Sequence, residues 1–184
     1  EVLEYPEMLE EIKQDNPEFR TDNLKEVPCI ELGHIFQLGR FYSENMNGYF
    51  VNASGKKEPY FMGCYGIGVN RTLGAICENN CDEEGLIWPK SVAPYKCVII
   101  STPENSDDSE KLYADIKSKN IDVVLDDRAD TLGSKIKDAK LLGFPYMIIM
   151  GKKYSKEHLL EVEARKTREK SFLNLNELIN LISD

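Results

Sequence analysis

The chain has 184 residues and a formal net charge of −9, with 41% hydrophobic and 30% charged side chains. This is an ordinary soluble globular composition, and the length suits one large domain or one and a half small ones. The sequence has no run of about 18 apolar residues that could span a membrane, and no basic segment followed by an apolar run that would be typical of a signal peptide.

The first half of the chain predicts a helix, a linker and then a strand-rich region. Residues 1–14 show a weak apolar stripe within an acidic helix, and the polar, proline-containing residues 15–28 are typical of a linker. Strand-like patterns follow at residues 29–39, 47–53 and 58–65, and the turn sequence SGKK between the last two predicts an antiparallel hairpin. From Ile67 the apolar spacing becomes helical, and an extended connector with prolines precedes a domain boundary near Ala93.

The second half alternates between strands and helices, which predicts βαβ units and a mainly parallel, twisted sheet. A hairpin and a final helix capped by Asn174 are expected at the end. The predicted strands are YKCVIIST, IDVVLDD and FPYMIIMG, the predicted helices between them are SDDSEKLYADIKSK and TLGSKIKDAKLLG, the hairpin is LLEVEAR with KSFL, and the final helix is NLNELINLIS.

Charge and cysteine usage restrict the function classes. Residues 1–93 carry 8 basic and 16 acidic side chains, whereas residues 94–184 carry 15 and 16, so only the second half can present a basic face. Five cysteines without a repeating pattern indicate reduced thiols in a cytoplasmic protein. Cys77 and Cys81 are spaced like a metal-binding pair, but structural zinc needs about four clustered ligands, so we expect free thiols and no metal site.

Residues 62–76, MGCYGIGVNRTLGAI, combine Gly66 and Gly68 with Arg71 at the start of a predicted helix. A dinucleotide-binding fingerprint would need a third glycine where Arg71 stands and an acidic residue ending the next strand, and a Walker loop would need Gly-Lys-Ser/Thr. Two interpretations remain. Either the glycines only let a strand turn into a helix beside an exposed arginine, or the helix N-terminus and the arginine bind a phosphate-bearing ligand that lies flat on the glycine backbone.

The segments GHIFQLG, MGCYGIGVNR and IWPKSVAPY closely resemble the region around motif 3 of bacterial-type prolyl-tRNA synthetases, which are class II aminoacyl-tRNA synthetases. The resemblance continues through VVLDDRADTLGSKIKDAKLLGFPYMIIMGKK and covers about residues 28–184. It implies a mixed α/β fold. Residues 28–93 would be the last segment of the antiparallel catalytic sheet, residues 94–184 an α/β anticodon-binding domain with a mainly parallel mixed sheet, and residues 1–27 a linker or the tail of an upstream region.

The resemblance also implies roles for individual residues. In this family the motif 3 arginine binds the γ-phosphate of ATP, and Arg71 stands at that position as the implied catalytic residue. The glycines would form the floor beneath the adenylate. Ordinary strand packing is the alternative interpretation for His34 and Cys64. The implied ATP-site positions are Glu31, His34, Gly66, Gly68 and Arg71, and those of the proline pocket are His34, Cys64 and Gly66.

The implied reaction has two steps. Proline and ATP form prolyl-adenylate and pyrophosphate, and the prolyl group then passes to the terminal ribose of tRNA(Pro). Charge stabilisation and positioning would do most of this chemistry. Mg²⁺ bridging the phosphates is expected from the family, and one or two carboxylates suffice to hold it. Besides proline and tRNA(Pro), the family implies a second copy of the full-length protein in a homodimer and no membrane.

The implied active site is incomplete in these residues. Motif 1, at the dimer interface of class II enzymes, and motif 2, whose arginine grips the α-phosphate, are not found, and the first residue is Glu1 rather than Met. We therefore expect a partial chain that does not form adenylate alone. The alternative is a synthetase-like module that binds tRNA or another partner without catalysis, whereas the missing fingerprint argues against a nucleotide-binding oxidoreductase.

RNA contacts are expected in the second half, because ligands gather at the carboxyl ends of strands in open α/β sheets. Asp127 and Arg128 end a predicted strand, and Lys135 and Lys137 follow it. Such side chains can contact phosphates and the edges of splayed bases. The alternative is that Asp127 caps the next turn and the lysines form a solvated helix face. The family's proline-glycine-x-lysine-phenylalanine segment reads LGSKI here, which retains the lysine position and leaves the loop geometry open.

Overall fold

The computed structural model describes residues 6–25 and 27–183 of the chain. Residues 1–31 and residues 32–184 form two separate units. In the first unit, helix α1 (Pro6–Asp15) has no buried residue, and a single 3-10 turn follows at Thr21–Asn23. The predicted N-terminal helix is confirmed from Pro6 onward, while residues 1–5 lie outside the described residues.

The second unit begins with short elements that are joined by turns. Three of them lie in segments for which the sequence predicted no element, namely α2 (Phe41–Asn45) and the paired strands β5 (Cys81–Asp82) and β6 (Gly85–Leu86). A helix with Arg71 in its first turn is confirmed. In chain order the elements are β1 (Gly33–Gly39), α2 (Phe41–Asn45), β2 (Tyr49–Val51), β3 (Lys57–Pro59), β4 (Met62–Ile67), α3 (Val69–Asn79), β5 (Cys81–Asp82) and β6 (Gly85–Leu86).

Strands β2 and β3 form the predicted hairpin around the SGKK turn, with Tyr49 opposite Pro59. Asn52 stabilises this turn from within. Its side-chain oxygen accepts hydrogen bonds from the backbone N–H groups of Ser54 and Lys56, each at 2.9 Å. An asparagine side chain that accepts from the backbone two residues ahead is a common way to fix a tight turn.

The prediction of one continuous strand over residues 58–65 is wrong. The chain leaves the hairpin after Pro59, where the hydroxyl of Ser43 donates to the carbonyl oxygen of Tyr60 at 2.6 Å. Strand β4 then begins at Met62 and pairs antiparallel with β1 instead. A hydrogen bond from the unpredicted helix α2 therefore accompanies the break between two strands that the sequence pattern had merged.

The remaining elements build a five-stranded mixed sheet in the order β11-β10-β9-β7-β8. The βαβ part is parallel, with β7 between β8 and β9. Antiparallel pairing begins at β10, where the sequence predicted a hairpin. The elements are β7 (Cys97–Ser101), α4 (Ser106–Ser118), β8 (Val123–Asp126), α5 (Leu132–Leu142), β9 (Tyr146–Met150), α6 (Lys152–Glu157), β10 (Leu160–Ala164), β11 (Lys170–Leu173) and α7 (Leu175–Ser183).

Helices cover both faces of this sheet. Leu112 and Ile116 of α4 and Leu178 and Ile182 of α7 pack on one face, whereas Ala139 of α5 packs on the other. Every residue of β7 and β9 is buried, as expected for strands that are sandwiched between two helical layers. The core thus lies in the second half of the chain, and the carboxyl ends of β7, β8 and β9 point to one edge.

Helix α7 begins with a capping box that confirms the predicted cap. The side chain of Asn174 accepts from the backbone N–H of Glu177 at 3.0 Å, and the Glu177 carboxylate accepts from the backbone N–H of Asn174 at 2.9 Å. Two otherwise unpaired donors at the helix start are satisfied in this way.

Truncation at two positions of α7 should separate core packing from helix propensity. Leu178 is fully buried, while Leu175 is 38% exposed. We expect Leu178→Ala to lower the free energy of unfolding by about 2–5 kcal/mol, and Leu175→Ala to lower it by no more than about 1 kcal/mol. Urea unfolding followed by far-UV circular dichroism measures both. Equal losses would contradict the packing of α7 on the sheet.

Candidate functional site

The turn from β4 into α3 places the glycines and the arginine of the predicted nucleotide site. Gly68 precedes the first helical residue and adds no capping side chain, and its backbone N–H donates to the carbonyl oxygen of Leu32 at 2.8 Å. A Cβ on Gly66 would meet nothing within 4 Å, whereas one on Gly68 would lie 3.3 Å from the Cβ of Arg71. A flat ligand could therefore approach the backbone at Gly66, with the exposed Arg71 one turn away.

The pairing of β1 with β4 brings three of the predicted residues together. His34 lies opposite Gly66, and Phe36 lies opposite Cys64. Because opposed and alternate residues share a face of a sheet, His34, Cys64 and Gly66 are on one face of the ribbon, where the rings of His34 and Phe36 have centroids 4.0 Å apart. Glu31 is exposed and falls in the first unit, so the structure does not assign it to this face.

Both faces of the β1–β4 ribbon expose apolar side chains. Phe36 is 50% exposed on the face of His34, and Ile35, Tyr65 and Ile67 are 67–78% exposed on the other. An isolated pair of strands is marginally stable in water, and large exposed apolar patches mark contact surfaces. Within the described residues, the face that carries His34, Cys64 and Gly66 is therefore an open surface without enclosing walls.

A second group of predicted residues lies at the edge of the sheet where β8 ends. The guanidinium of Arg128 donates to both carboxylate oxygens of Asp126, at 2.9 and 2.7 Å, and to the carboxylate of Asp138 on α5, at 2.8 Å. This fork holds the pKa of Asp126 below its usual value, because the Arg128 hydrogen bonds stabilise the carboxylate. The arginine is half exposed and oriented by two carboxylates, and Asp127 is exposed beside it.

Lys135 and Lys137 have different environments on α5. Lys135 is only 4% exposed, and its ammonium donates to the carbonyl oxygens of Asp126, at 2.9 Å, and Ser101, at 3.4 Å. These carbonyls end β8 and β7, so Lys135, which was expected to face a ligand, lies inside and holds the two strand ends. Lys137 is exposed. It borders a hollow shared with Glu84 and Lys140, and its side chain remains available to a ligand.

Hollows flank β8 on both of its faces. One, of about 420 Å³, lies against α5 and includes Val98, Leu125 and Phe144, with the Arg128 fork at its border. The other, of about 510 Å³, lies against α4 and includes Tyr113 and Lys117. Asp127 borders both. The hollow against α5 is mostly apolar, whereas the one against α4 is more polar. An edge strand between them, with a guanidinium and carboxylates at its tip, can accommodate flat rings and hydrogen-bond their edges.

Sequence reasoning missed the role of Asp138 and the interior position of Lys135. Leu132 and Ala139 pack on the sheet, and a residue three or four positions from each lies on the same side of a helix. Lys135 has that spacing from both, which was the available signal for its burial. For Asp138 no local pattern indicates the contact, because its partner Arg128 lies in the preceding loop.

The cysteines and the remaining acidic groups form no metal site within the described residues. All five cysteines are free, and burial raises the pKa of Cys97 to about 12. Within residues 6–25 and 27–183, no group of three or more histidine, cysteine, aspartate or glutamate side chains is placed to hold a metal ion. No helix in the same part of the chain is long and apolar enough to cross a membrane.

Comparison with known proteins identifies the second half first. Residues 96–184 match the family model of the anticodon binding domain. The chain is 46% identical over 158 residues to the proline–tRNA ligase of Bacillus subtilis (strain 168), and 42% identical over 169 residues to that of Prochlorococcus marinus (strain NATL1A), which covers 84% and 90% of the chain. The chain is homologous to part of the proline–tRNA ligases.

The homology has a defined extent. The chain spans 28% of the length of each of these two ligases. The fold is also that of a solved structure, the prolyl-tRNA synthetase from Cryptosporidium parvum complexed with L-proline and AMP. The TM-score is 0.74 with 24% sequence identity, and the match covers 83% of this chain and 33% of the other. The mixed α/β fold expected for part of a prolyl-tRNA synthetase is thereby confirmed.

The pKa of Asp126 provides a direct check of the Arg128 fork. We expect this pKa, measured by NMR titration, to lie below 3.8 and to rise toward 3.8 in Arg128→Ala. Because the folded-state pKa is depressed, the ion pair stabilises the protein above the ordinary pKa, and this stabilisation is lost as the pH falls through the folded pKa. Arg168→Ala, which removes a cation elsewhere, should leave the Asp126 pKa unchanged. An unchanged value in Arg128→Ala would contradict the fork.

Proposed function

We propose that this chain is part of a proline–tRNA ligase, which activates proline with ATP to prolyl-adenylate and transfers the prolyl group to tRNA(Pro) during translation. The observation that carries the proposal is the 46% identity to a proline–tRNA ligase over 84% of the chain, a span long enough that it must include Arg71 and most of residues 96–184. In this proposal, residues 28–93 belong to a class II catalytic domain, residues 94–184 are the anticodon-binding domain, and residues 1–27 are a linker or the tail of an upstream region.

In the proposed activation step, Arg71 binds the γ-phosphate of ATP from the first turn of α3. A guanidinium suits this task because it remains charged and can donate two parallel hydrogen bonds to one phosphate. The open backbone at Gly66 supports the adenylate, and His34 and Cys64 contribute to the proline pocket on the same face. Glu31 is proposed as a further contact of the ATP site. Mg²⁺ would be held largely by the phosphates, with one or two carboxylates.

In the proposed recognition step, the sheet edge after β8 reads the anticodon. Arg128 is oriented by Asp126 and Asp138, so that it meets a base with little loss of side-chain freedom. Asp127 accepts hydrogen bonds from base edges, and Lys137 neutralises a phosphate. Lys135 contributes through the strand ends that it holds. The proposed complete enzyme is a cytoplasmic homodimer.

Binding of tRNA tests the recognition step. We expect the chain to bind a proline tRNA more tightly than the same tRNA with a changed anticodon, and Arg128→Ala to lose most of this preference. Lys137→Ala should weaken both complexes alike and reduce the salt dependence by about one phosphate contact. Fluorescence anisotropy across a salt series measures these quantities.

Two lysines serve as controls for this experiment. Lys111, exposed on α4, should be replaceable by alanine without effect on tRNA binding. Lys135→Met should lower the free energy of unfolding by about 1–3 kcal/mol, because two buried carbonyls lose their donor. Equal, weak and salt-sensitive binding of both tRNAs by the unmodified chain would contradict anticodon reading by these residues.

Proline-dependent ATP–pyrophosphate exchange tests the activation step. We expect no exchange by this chain alone, because none of the described residues encloses the ribbon around Arg71, and full electrostatic stabilisation needs a site that excludes water. The open ribbon also favours the second candidate, a synthetase-like module that binds tRNA or another partner without catalysis. Exchange that is measurable and is abolished by Arg71→Ala would contradict both the expected inactivity and the non-catalytic module.

A further inference from the structure

A buried ion pair joins the segment after α3 to the anticodon-binding domain. Arg165, at the end of β10, is 2% exposed. Its guanidinium donates to both carboxylate oxygens of Asp82, at 3.0 and 2.5 Å, and to the carbonyl oxygen of Gly85, at 3.2 Å. Asp82 and Gly85 pair with each other in the β5–β6 hairpin. We call the contacts of this hairpin with Arg165 and with the end of α5 the joint.

The backbones at the joint are in direct contact. Gly85 has a φ of +135°, and a Cβ there would lie 2.7 Å from the carbonyl oxygens of Lys140 and Leu141. Gly143, with a φ of +78°, follows α5, and a Cβ there would lie 2.6 Å from the carbonyl oxygen of Leu86. Only glycine combines these backbone angles with such an approach, so the hairpin and the end of α5 fit together without intervening side chains.

The joint also satisfies the C-terminal end of α5, where helices leave carbonyl groups without an intrahelical partner. The indole N–H of Trp88 donates to the carbonyl oxygen of Leu142 at 3.0 Å. Arg165 donates to that of Lys140 at 3.3 Å. The ammonium of Lys140 in turn contacts Glu84 of the β5–β6 turn, at 2.9 Å.

Asp82 pairs with a second arginine at the joint. Arg168 adds a second guanidinium to Asp82, at 3.0 Å. The hydrogen bonds from Arg165 and Arg168 hold the pKa of Asp82 well below its usual range. A buried guanidinium that loses its partner leaves an uncompensated charge, so the arrangement with Asp82 in place is strongly preferred over any other orientation of the hairpin.

We propose that Asp82 and Arg165 are positioning residues that hold α3, with Arg71 at its start, in one fixed orientation relative to the anticodon-reading edge of the sheet. Helix α3 runs directly into the hairpin, and α5, which carries Lys137 and Asp138, ends against it. The joint thus makes both helices parts of one rigid body. The purpose of this fixed orientation rests on the proposed function, since a ligase must place the acceptor end of the tRNA that it reads at its ATP site.

The orientation itself can be measured on this chain by NMR. Residual dipolar couplings of the backbone amides in α3 and in strands β7–β10 should fit a single alignment tensor in the unmodified chain. In Asp82→Asn and in Arg165→Met, the sheet should keep its tensor, and the α3 couplings should no longer fit it and should become smaller. Loss of stability alone would not have this effect, because a folded population reports its own geometry.

Matched variants make the test specific. Arg168→Ala removes an exposed arginine from the same carboxylate and should leave one tensor. Arg165→Lys retains the charge without the fork and should give an intermediate deviation. If Arg165→Met fails to fold, Asp82→Asn provides the test, since Asp82 is 25% exposed. A single tensor in folded Asp82→Asn would overturn the proposal.

Binding of tRNA to the same variants separates this inference from the proposed function. Asp82→Asn should retain the preference for the proline anticodon, within about twofold in affinity, because the Arg128 edge is unchanged. If α3 loses its orientation in Asp82→Asn and the unmodified chain shows no anticodon preference, the proposed recognition is contradicted and the positioning role stands. A preference that persists while α3 keeps its orientation in Asp82→Asn would contradict only the joint.

Discussion

The burial of the Arg165 guanidinium determines how residues 32–93 pack against residues 94–184. Taking a charge into a protein interior costs several kcal/mol unless partners compensate for it, and Arg165 finds its carboxylate 83 residues earlier in the chain, at Asp82. The guanidinium contacts two carbonyl oxygens as well. The β5–β6 hairpin is only two residues long on each side, yet its place in the fold is specified, because Arg165 takes acceptors from both of its strands and from the end of α5.

The two proposed sites differ in how much packed structure holds their residues in place. The anticodon-reading edge extends from β7 and β8, whose sheet is covered by helices on both faces, and its tip is held by the buried ammonium of Lys135. The nucleotide-binding face is displayed on a two-stranded ribbon with apolar side chains on both surfaces. Regions with few buried contacts open more readily than a core, so the ribbon is the part of this unit that depends most on neighbouring protein.

Local pattern was sufficient for many of the regular elements, but not for α2, α6 or the β5–β6 hairpin. The βαβ alternation, the final hairpin and the Asn174 cap followed from periodicity and from side chains that act within a few residues. The break after Pro59 did not follow, because it involves the Ser43 hydroxyl, which lies 17 residues from its acceptor. The sites divide in the same way. The exposed Arg71 at the start of a helix was readable, whereas the fork between Arg128 and Asp138 and the burial of Lys135 depend on how α5 packs.

The short β8 strand also has a consequence for self-association. It is the outer strand of its sheet, and a free edge invites pairing with a strand of another molecule. This one is four residues long and ends in Asp126, with Asp122 just before it and Asp127 just after. If a second copy paired along this strand, these aspartate carboxylates would be brought close to those of the other copy and would lose contact with water. Acidic groups at both ends of β8, including those at the proposed recognition edge, therefore also protect the protein from edge-to-edge aggregation.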